Sequence, residues 1–341
     1  MLTVVIASPL EPQFVDRILS VAPARVRVCY EEALVPTPRY PCDHTGVRPV
    51  LSESELDRWR SLVSQADVMF DFDWVEPERL PVRAPRLQWV QATSSGIGEF
   101  LAKTGLDRSN ITFTTAAGVH AIPLAEFVLL GLLYFTKEAP TLRRWQLDHH
   151  WQRHTTGELA GQTVLVIGLG QVGSQIARSC SRLGMDVWGA RKGWRPDTVE
   201  GISRLIQLSE IREALPQVDA LVLACPYTPE THHLITREEL ELLSGQAVVV
   251  NVARGAVIDQ PALIEALTSG GIKGAALDVF ETEPLEEDSP LWDLPNVLVS
   301  PHSASTVASE NQRIVDLFVD NLERFLNGSP LRNRFYTQRG Y

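Results

Sequence analysis

Apolar and polar positions alternate along the chain in two rhythms, short β-branched runs and longer stretches with helical spacing. In the N-terminal third the runs Thr3–Ala7, Val26–Cys29, Val68–Phe70 and Leu87–Gln91 read as strands. Helical patterns lie between them, such as Glu53–Ala66, where Ser52 is placed as an N-cap with Glu55 three residues on. Prolines 36, 38 and 41 with Gly46 mark one long loop. The spacing from Ala121 to Arg144 predicts a long helix, and a second series of strands begins behind it. These are Thr163–Ile167, Asp186–Trp188, Ala220–Ala224, Ala247–Val252, Ala275–Leu277 and Val297–Ser300. Near-continuous apolar runs separated by helical stretches suit a parallel sheet buried on both faces. The pattern therefore predicts two α/β arrays. The last helix, Ser309–Phe325, follows the second array and is expected to return to the first. No internal repeat or low-complexity tract is visible.

Composition narrows the classes without naming a chemistry. A length of 341 residues suits two domains, since single cores stop growing near about 250–300 residues. The 31 basic and 42 acidic side chains leave a formal charge of −11, which argues against general binding to nucleic acid or anionic membrane. The longest apolar stretch, Ile122–Phe135, contains Glu126 and is shorter than the roughly 20 residues needed to span a bilayer. The N-terminus has no basic leader and runs straight into a strand pattern. Cys29, Cys42, Cys180 and Cys225 form no C-x-x-C and no metal-like pairing, so they read as small buried hydrophobes. A reducing, cytoplasmic setting and no metal site are expected.

The first motif with a mechanism follows the strand Thr163–Ile167. Gly168-Leu169-Gly170-Gln171-Val172-Gly173 is a G-x-G-x-x-G, and Val172, Ile176, Ala177, Cys180 and Leu183 then form an apolar helical stripe. Strand, glycine turn and helix together are the dinucleotide fingerprint. Gly168 would allow the tight turn, Gly170 the approach of a pyrophosphate, and Gly173 close packing of helix on strand. The helix N-terminus, including the amides of Gln171 and Val172, would supply donors to the phosphates. At the second strand's end, where an acid usually bonds the ribose 2′-hydroxyl, the chain reads Trp188-Gly189-Ala190-Arg191-Lys192. Arg191 and Lys192, with Arg195 as a third candidate, can neutralise a 2′-phosphate. NADP(H) is therefore the expected cofactor, with NAD(H) possible; the plainer explanation is a pair of solvated cations.

Further motifs carry a family resemblance. They are Asn251-Val252-Ala253-Arg254-Gly255, the run from Ala276-Leu277-Asp278-Val279-Phe280 to Glu281-Thr282-Glu283-Pro284, and Ser300-Pro301-His302-Ser303-Ala304. With the glycine turn, residues 89–96, Ala116-Ala117-Gly118 and Ala125-Glu126, they resemble the D-isomer-specific 2-hydroxyacid dehydrogenases. The resemblance covers nearly the whole chain and is weakest over residues 1–80. It implies two doubly wound parallel-sheet domains with a cleft between them. Residues 119–303 would form a Rossmann NAD(P)-binding domain, and residues 1–118 with 304–341 a flavodoxin-like substrate domain. It also implies a homodimer, for which Ala121–Arg144 is the interface candidate.

The resemblance further implies reversible hydride transfer between NAD(P)H and a small 2-keto acid, giving the D-2-hydroxy acid. Glyoxylate, hydroxypyruvate and pyruvate-like acids are the substrates to try first. The residue types suit that chemistry. His302, between a strand end and the next helix, can protonate the developing alkoxide. Glu283 can orient its imidazole, and the planar fork of Arg254 can bridge the substrate carboxylate and keto oxygen. Asp278 is similar to the family's ligand for the nicotinamide carboxamide. Cys225, Pro226, Val252, Ala253, Ser303 and Ala304, with His302, resemble its other cofactor contacts. Ser95, Gly96 and Ile97 match the loop whose backbone N–H groups hold the substrate carboxylate.

Taken singly, each has a plainer explanation. His302 beside Pro301 can be structural, Glu283 a solvated loop residue, Arg254 a capping cation, Asp278 a turn former and Ser94–Gly96 a simple turn. His120, His149, His150, His154, His232 and His233 match no catalytic family position. Ser303 stands where many members carry an aliphatic residue or glycine, and the loop from Arg39 to His44 has no assignment. Glu283 rather than Gln argues against the formate dehydrogenase branch. Two alternatives remain: a nucleotide-sensing protein of the corepressor type, and a phosphoglycerate-type dehydrogenase, which usually carries further regulatory domains.

Overall fold

The computed structural model describes residues 1–193 and 199–337, so Arg195 lies outside the described residues. The chain divides into two units, Met1–Val119 with Thr306–Tyr341, and His120–Ser305. In the first unit the strands are β1 (Leu2–Ile6), β2 (Val26–Cys29), β3 (Val68–Phe70), β4 (Trp89–Gln91) and β5 (Thr112–Thr114). They form one sheet in the order β2-β1-β3-β4-β5, with every pair parallel. That is the flavodoxin-like strand order.

The second unit holds β6 (Thr163–Ile167), β7 (Asp186–Arg191), β8 (Arg204–Gln207), β9 (Ala220–Leu223), β10 (Val248–Asn251), β11 (Gly274–Leu277) and β12 (Val297–Val299). Its order is β12-β11-β10-β9-β6-β7-β8, again all parallel. The chain winds outward from β6 in both directions, so the turn after β6 sits where strand order reverses, the place at which such sheets bind ligands.

Period-two packing explains why these runs are apolar throughout. In β6, Val164 and Val166 enter one core while Leu165 and Ile167 enter the other. In β1, Val4 and Ile6 face one layer, and Val5 the opposite one. Both faces of both sheets are covered, as parallel sheets require.

The C-terminal helix, Glu310–Leu326, belongs to the first unit. Its Phe318 is fully buried, stacked 5.2 Å from Trp89 and edge-on 5.2 Å from Phe70. Asn321 on the same helix reaches the buried Gln91 side chain at 3.0 Å. Burying a side chain such as Phe318 stabilises by about 1.5–3 kcal/mol, which ties the end of the chain to its beginning.

The local signals hold in some places and fail in others. Helix Glu53–Ser64 has the expected capping box, with Glu55 Oε2 accepting from Ser52 N at 2.8 Å. The long helix expected over Ala121–Arg144 is instead two, Ala121–Thr136 and Ala139–Leu147, broken at Glu138 with φ 53°. Pro140 explains the break, since it has no N–H for the carbonyl of Thr136. That carbonyl accepts from Gly157 N at 3.2 Å instead. Strands β5 and β8 were not expected. In both, polar residues flank a short apolar centre, Phe113 between two threonines in β5 and Leu205-Ile206 between Arg204 and Gln207 in β8, so neither shows an apolar run. β7 runs three residues past Trp188 to Arg191, through a Gly189 whose added Cβ would meet Ile202 Cδ1 at 2.6 Å.

Candidate active site

The turn after β6 is built by its glycines. Gly168 has φ +98°, and a Cβ there would lie 2.5 Å from the backbone of Cys225. A Cβ on Gly173 would lie 1.7 Å from Gly168 O, so the helix Gln171–Arg182 can approach the strand this closely only with glycine. Gly170, the residue preceding that helix, is exposed and has nothing among the described residues within 4 Å of an added Cβ. Strain therefore demands the first and third glycines, whereas nothing among the described residues demands the second. That combination fits a phosphate group seated at the helix N-terminus.

The strand ends bring the remaining cofactor candidates to the same edge. Cys225 follows β9 and is buried; burial pushes its thiol up to about 11, which leaves it an unreactive wall. Cys180 is likewise buried and pushed up to about 12, while Cys29 and Cys42 are only half-buried. At the end of β10, the buried Asn251 organises the turn. Its Nδ2 donates to Arg254 O at 3.1 Å and its Oδ1 accepts from Ala253 N at 3.0 Å. Arg254 is extended and exposed, with Nη1 donating to Ala253 O at 2.7 Å.

Asp278 follows β11 with only 2% of its surface exposed. Its Oδ1 accepts three donors: Ser300 Oγ at 2.6 Å, Ser303 N at 2.9 Å and Ala304 N at 2.9 Å. Burial raises its pKa above the ordinary value, opposed by the Ser300 hydrogen bond first. Asp278 thereby ties the β11 end to the segment after β12. That segment carries His302, whose N donates to Asp278 O at 2.9 Å and whose φ is 52°. A non-glycine residue in the left-handed region marks a position held against local strain.

The imidazole of His302 is 2.7 Å from Glu283, between Nδ1 and Oε2. The other carboxylate oxygen of Glu283 accepts from Phe280 N at 3.0 Å, so the acid is oriented before it orients the base. Gly255, next to Arg254, packs on this same segment, since its Cβ would lie 1.8 Å from Phe280 C. Arg254, Asp278, Glu283 and His302 thus occupy the ends of three adjacent strands. Asn251 and Ser300 are structural members of this group that carried no role in the sequence reading. Each is an ordinary strand-end polar residue until the fold shows what it holds.

At the end of β7, Lys192 Nζ is 2.9 Å from Glu230 Oε1, and Arg191 is the last strand residue. Ser95, Gly96 and Ile97 lie in the first unit after β4. Ser94, Ser95 and Gly96 are exposed, and Ile97 is buried as their anchor. The unassigned Arg39–His44 loop in that unit is a built structure. Asp43 accepts from Arg39 Nε at 2.6 Å, Arg39 Nη2 at 3.1 Å and Gly46 N at 3.0 Å. The Arg39 guanidinium holds the Asp43 carboxyl well below the usual carboxylate range. Among the described residues no group of three or more potential metal ligands occurs, and no helix is long and apolar enough to cross a membrane.

Comparison with known proteins gives these features a context. The family model described as D-isomer specific 2-hydroxyacid dehydrogenase, NAD binding domain, matches residues 129–304. A glyoxylate reductase of Thermofilum pendens is 33% identical over 72% of this chain and 74% of its own length. A D-isomer specific 2-hydroxyacid dehydrogenase from Xanthobacter autotrophicus, solved with NADPH and MES, has TM-score 0.79 and 29% identity, covering 99% of each chain. An NADPH-dependent glyoxylate/hydroxypyruvate reductase from Sinorhizobium meliloti, solved with NADP and sulfate, has TM-score 0.79 and 25% identity over 100% of both chains.

Proposed function

Because the chain belongs to the D-isomer specific 2-hydroxyacid dehydrogenase family, we propose that it reduces a small 2-keto acid to the D-2-hydroxy acid, reversibly. It is an oxidoreductase that uses a nicotinamide cofactor. The observation that carries the reading is the 2.7 Å His302–Glu283 pair at the strand ends that also carry Arg254 and Asp278.

In this reading Gly168, Gly170 and Gly173, with the amides of Gln171 and Val172, hold the pyrophosphate. Backbone of Cys225, Pro226, Val252, Ala253, Ser303 and Ala304 lines the remainder, and Asp278 takes the carboxamide. When bound, the nicotinamide supplies or accepts the hydride. Glu283 holds a proton on Nδ1 of His302, so Nε2 is the atom that gives its proton to the keto oxygen or takes it back. The guanidinium of Arg254 binds the substrate carboxylate and stabilises charge on the oxygen. Ser95, Gly96 and Ile97 are assigned to the carboxylate on the resemblance alone.

Three finer readings belong to the same proposal. Arg191 and Lys192 favour NADP(H) over NAD(H). The exposed Ile122, Leu130, Leu133, Leu142 and Leu147 on the helices Ala121–Thr136 and Ala139–Leu147 suit a homodimer interface, which a monomer by sedimentation would refute. Four unpaired cysteines suit a reducing cytoplasm, and fractionation to any other compartment would refute that. The experiment that tests the activity is oxidation of NADPH and of NADH with glyoxylate, hydroxypyruvate and pyruvate. Turnover with at least one acid supports the reading. Tight dinucleotide binding without turnover of any acid would instead favour the nucleotide-sensing alternative.

A further inference from the structure

Lys192 is one of the two cations assigned to a 2′-phosphate, yet its charge is already engaged. Its ammonium is 2.9 Å from Glu230, which arrives from the loop after β9. That loop is pinned in place. Thr228 N donates to Thr231 Oγ1 at 2.7 Å, and Thr231 Oγ1 donates to Pro226 O at 2.8 Å. Glu230 is itself oriented, because its Oε2 accepts from Thr228 Oγ1 at 3.0 Å. The hydrogen bond from Lys192 holds the Glu230 carboxyl below its ordinary value. Lys192 and Glu230 line an open surface depression of about 370 Å³ together with Gln207, Leu208, Ser209 and Leu234. Its volume lies within the roughly 300–1,000 Å³ of small-ligand pockets. Leucines on its wall suit a flat ring, and the ion pair suits the polar edge of a nucleoside.

The end of β7 lacks the acid that usually accepts a ribose 2′-hydroxyl, and the loop after β9 places one beside the cation instead. We propose that Glu230 is a specificity-determining residue, whose carboxylate accepts the 2′-hydroxyl of an unphosphorylated dinucleotide and opposes a 2′-phosphate. Lys192 is then shared between two anions, and the balance between them sets the preference. This rests on the reading of the glycine turn as a dinucleotide site. Both side chains are largely exposed, at 75% and 61%, so water and salt moderate the effect.

The test is titration calorimetry of the full chain with NADP+ and with NAD+. Glu230→Gln keeps an acceptor for Thr228 and removes the charge. It should raise the affinity ratio of NADP+ over NAD+ by about 3- to 10-fold, the scale of one exposed charge against a phosphate. Lys192→Gln should move the ratio the other way, and both changes should shrink at high ionic strength. A Glu230→Gln ratio within about two-fold of the wild type, or shifted toward NAD+, overturns the role of Glu230 alone. Wild-type protein that binds neither dinucleotide overturns the site and the inference together.

Discussion

Gly255→Ala tests whether the segments carrying Arg254 and Glu283 are held together as closely as the structure places them. The added Cβ would lie 1.8 Å from Phe280 C, 2.0 Å from Phe280 O and 2.3 Å from Glu281 N, whereas ordinary contact begins at 3.4 Å. Relief therefore needs 3.4 − 1.8 = 1.6 Å of movement, and the atoms in the way are backbone rather than a side-chain tip. Phe280 N is the donor that fixes Glu283, and Arg254 is the residue next to the glycine. The substitution thus drives Arg254 away from the His302–Glu283 pair. A misplacement of about 1 Å can cost on the order of 10²-fold in rate, and overpacking costs about 1–3 kcal/mol of stability. We expect kcat/KM for the keto acid to fall by about two orders of magnitude at saturating reduced cofactor, with a lower urea midpoint. A folded variant with kcat/KM within about three-fold of the wild type would refute the proposed dependence on that spacing.

Other positions separate structure from function. Gly170→Ala meets no atom of the described residues, so the urea midpoint should hold while dinucleotide affinity falls; unchanged affinity would remove Gly170 from the phosphate site. Asp278→Asn keeps an oxygen for all three donors but loses the charged acceptor, and kcat/KM should drop by about 10- to 100-fold. Because burial raises the Asp278 pKa, the wild type loses stability relative to this variant as pH rises through that value. Urea unfolding should show the variant equal at low pH and more stable at neutral pH, and the opposite order would contradict the assignment. Asp43→Asn has the reverse sign. Its depressed pKa means a stability contribution present above the ordinary carboxylate range and lost in strong acid, so the variant should be less stable by about 1–3 kcal/mol at neutral pH. Unfolding free energies equal to the wild type would show that the Arg39–Asp43 fork does not secure the loop.

How much was legible in the chain follows from burial and from distance along it. Central strands such as Val248–Asn251 bury every residue and announce themselves as apolar runs. Edge strands do so unevenly: Val26–Cys29 and Val297–Val299 stay mostly apolar, whereas Thr112–Thr114 holds one apolar residue and Arg204–Gln207 two, each between polar ones. The break at Glu138 was hidden because apolar spacing continues across it, although Pro140 was the available signal. His302, Glu283 and Arg254 could be named because short motifs surround them. Their supports could not, since Ser300 acquires a role only when it meets Asp278, 22 residues away. Glu230 lies 38 residues from Lys192 and has no local mark of the pairing. The pairing of Lys192 with the Glu230 carboxylate becomes visible only in the fold.

The central claim is that His302, held by Glu283, moves the proton in keto-acid reduction. The most direct measurement is single-turnover reduction of glyoxylate by His302→Gln preloaded with NADPH, beside the wild type, with NADPH affinity measured in parallel. Positioned acid catalysis contributes typically 10²–10⁴-fold, so the step should slow by about that factor while the variant still binds NADPH. A variant that reduces glyoxylate at the wild-type rate would contradict the account.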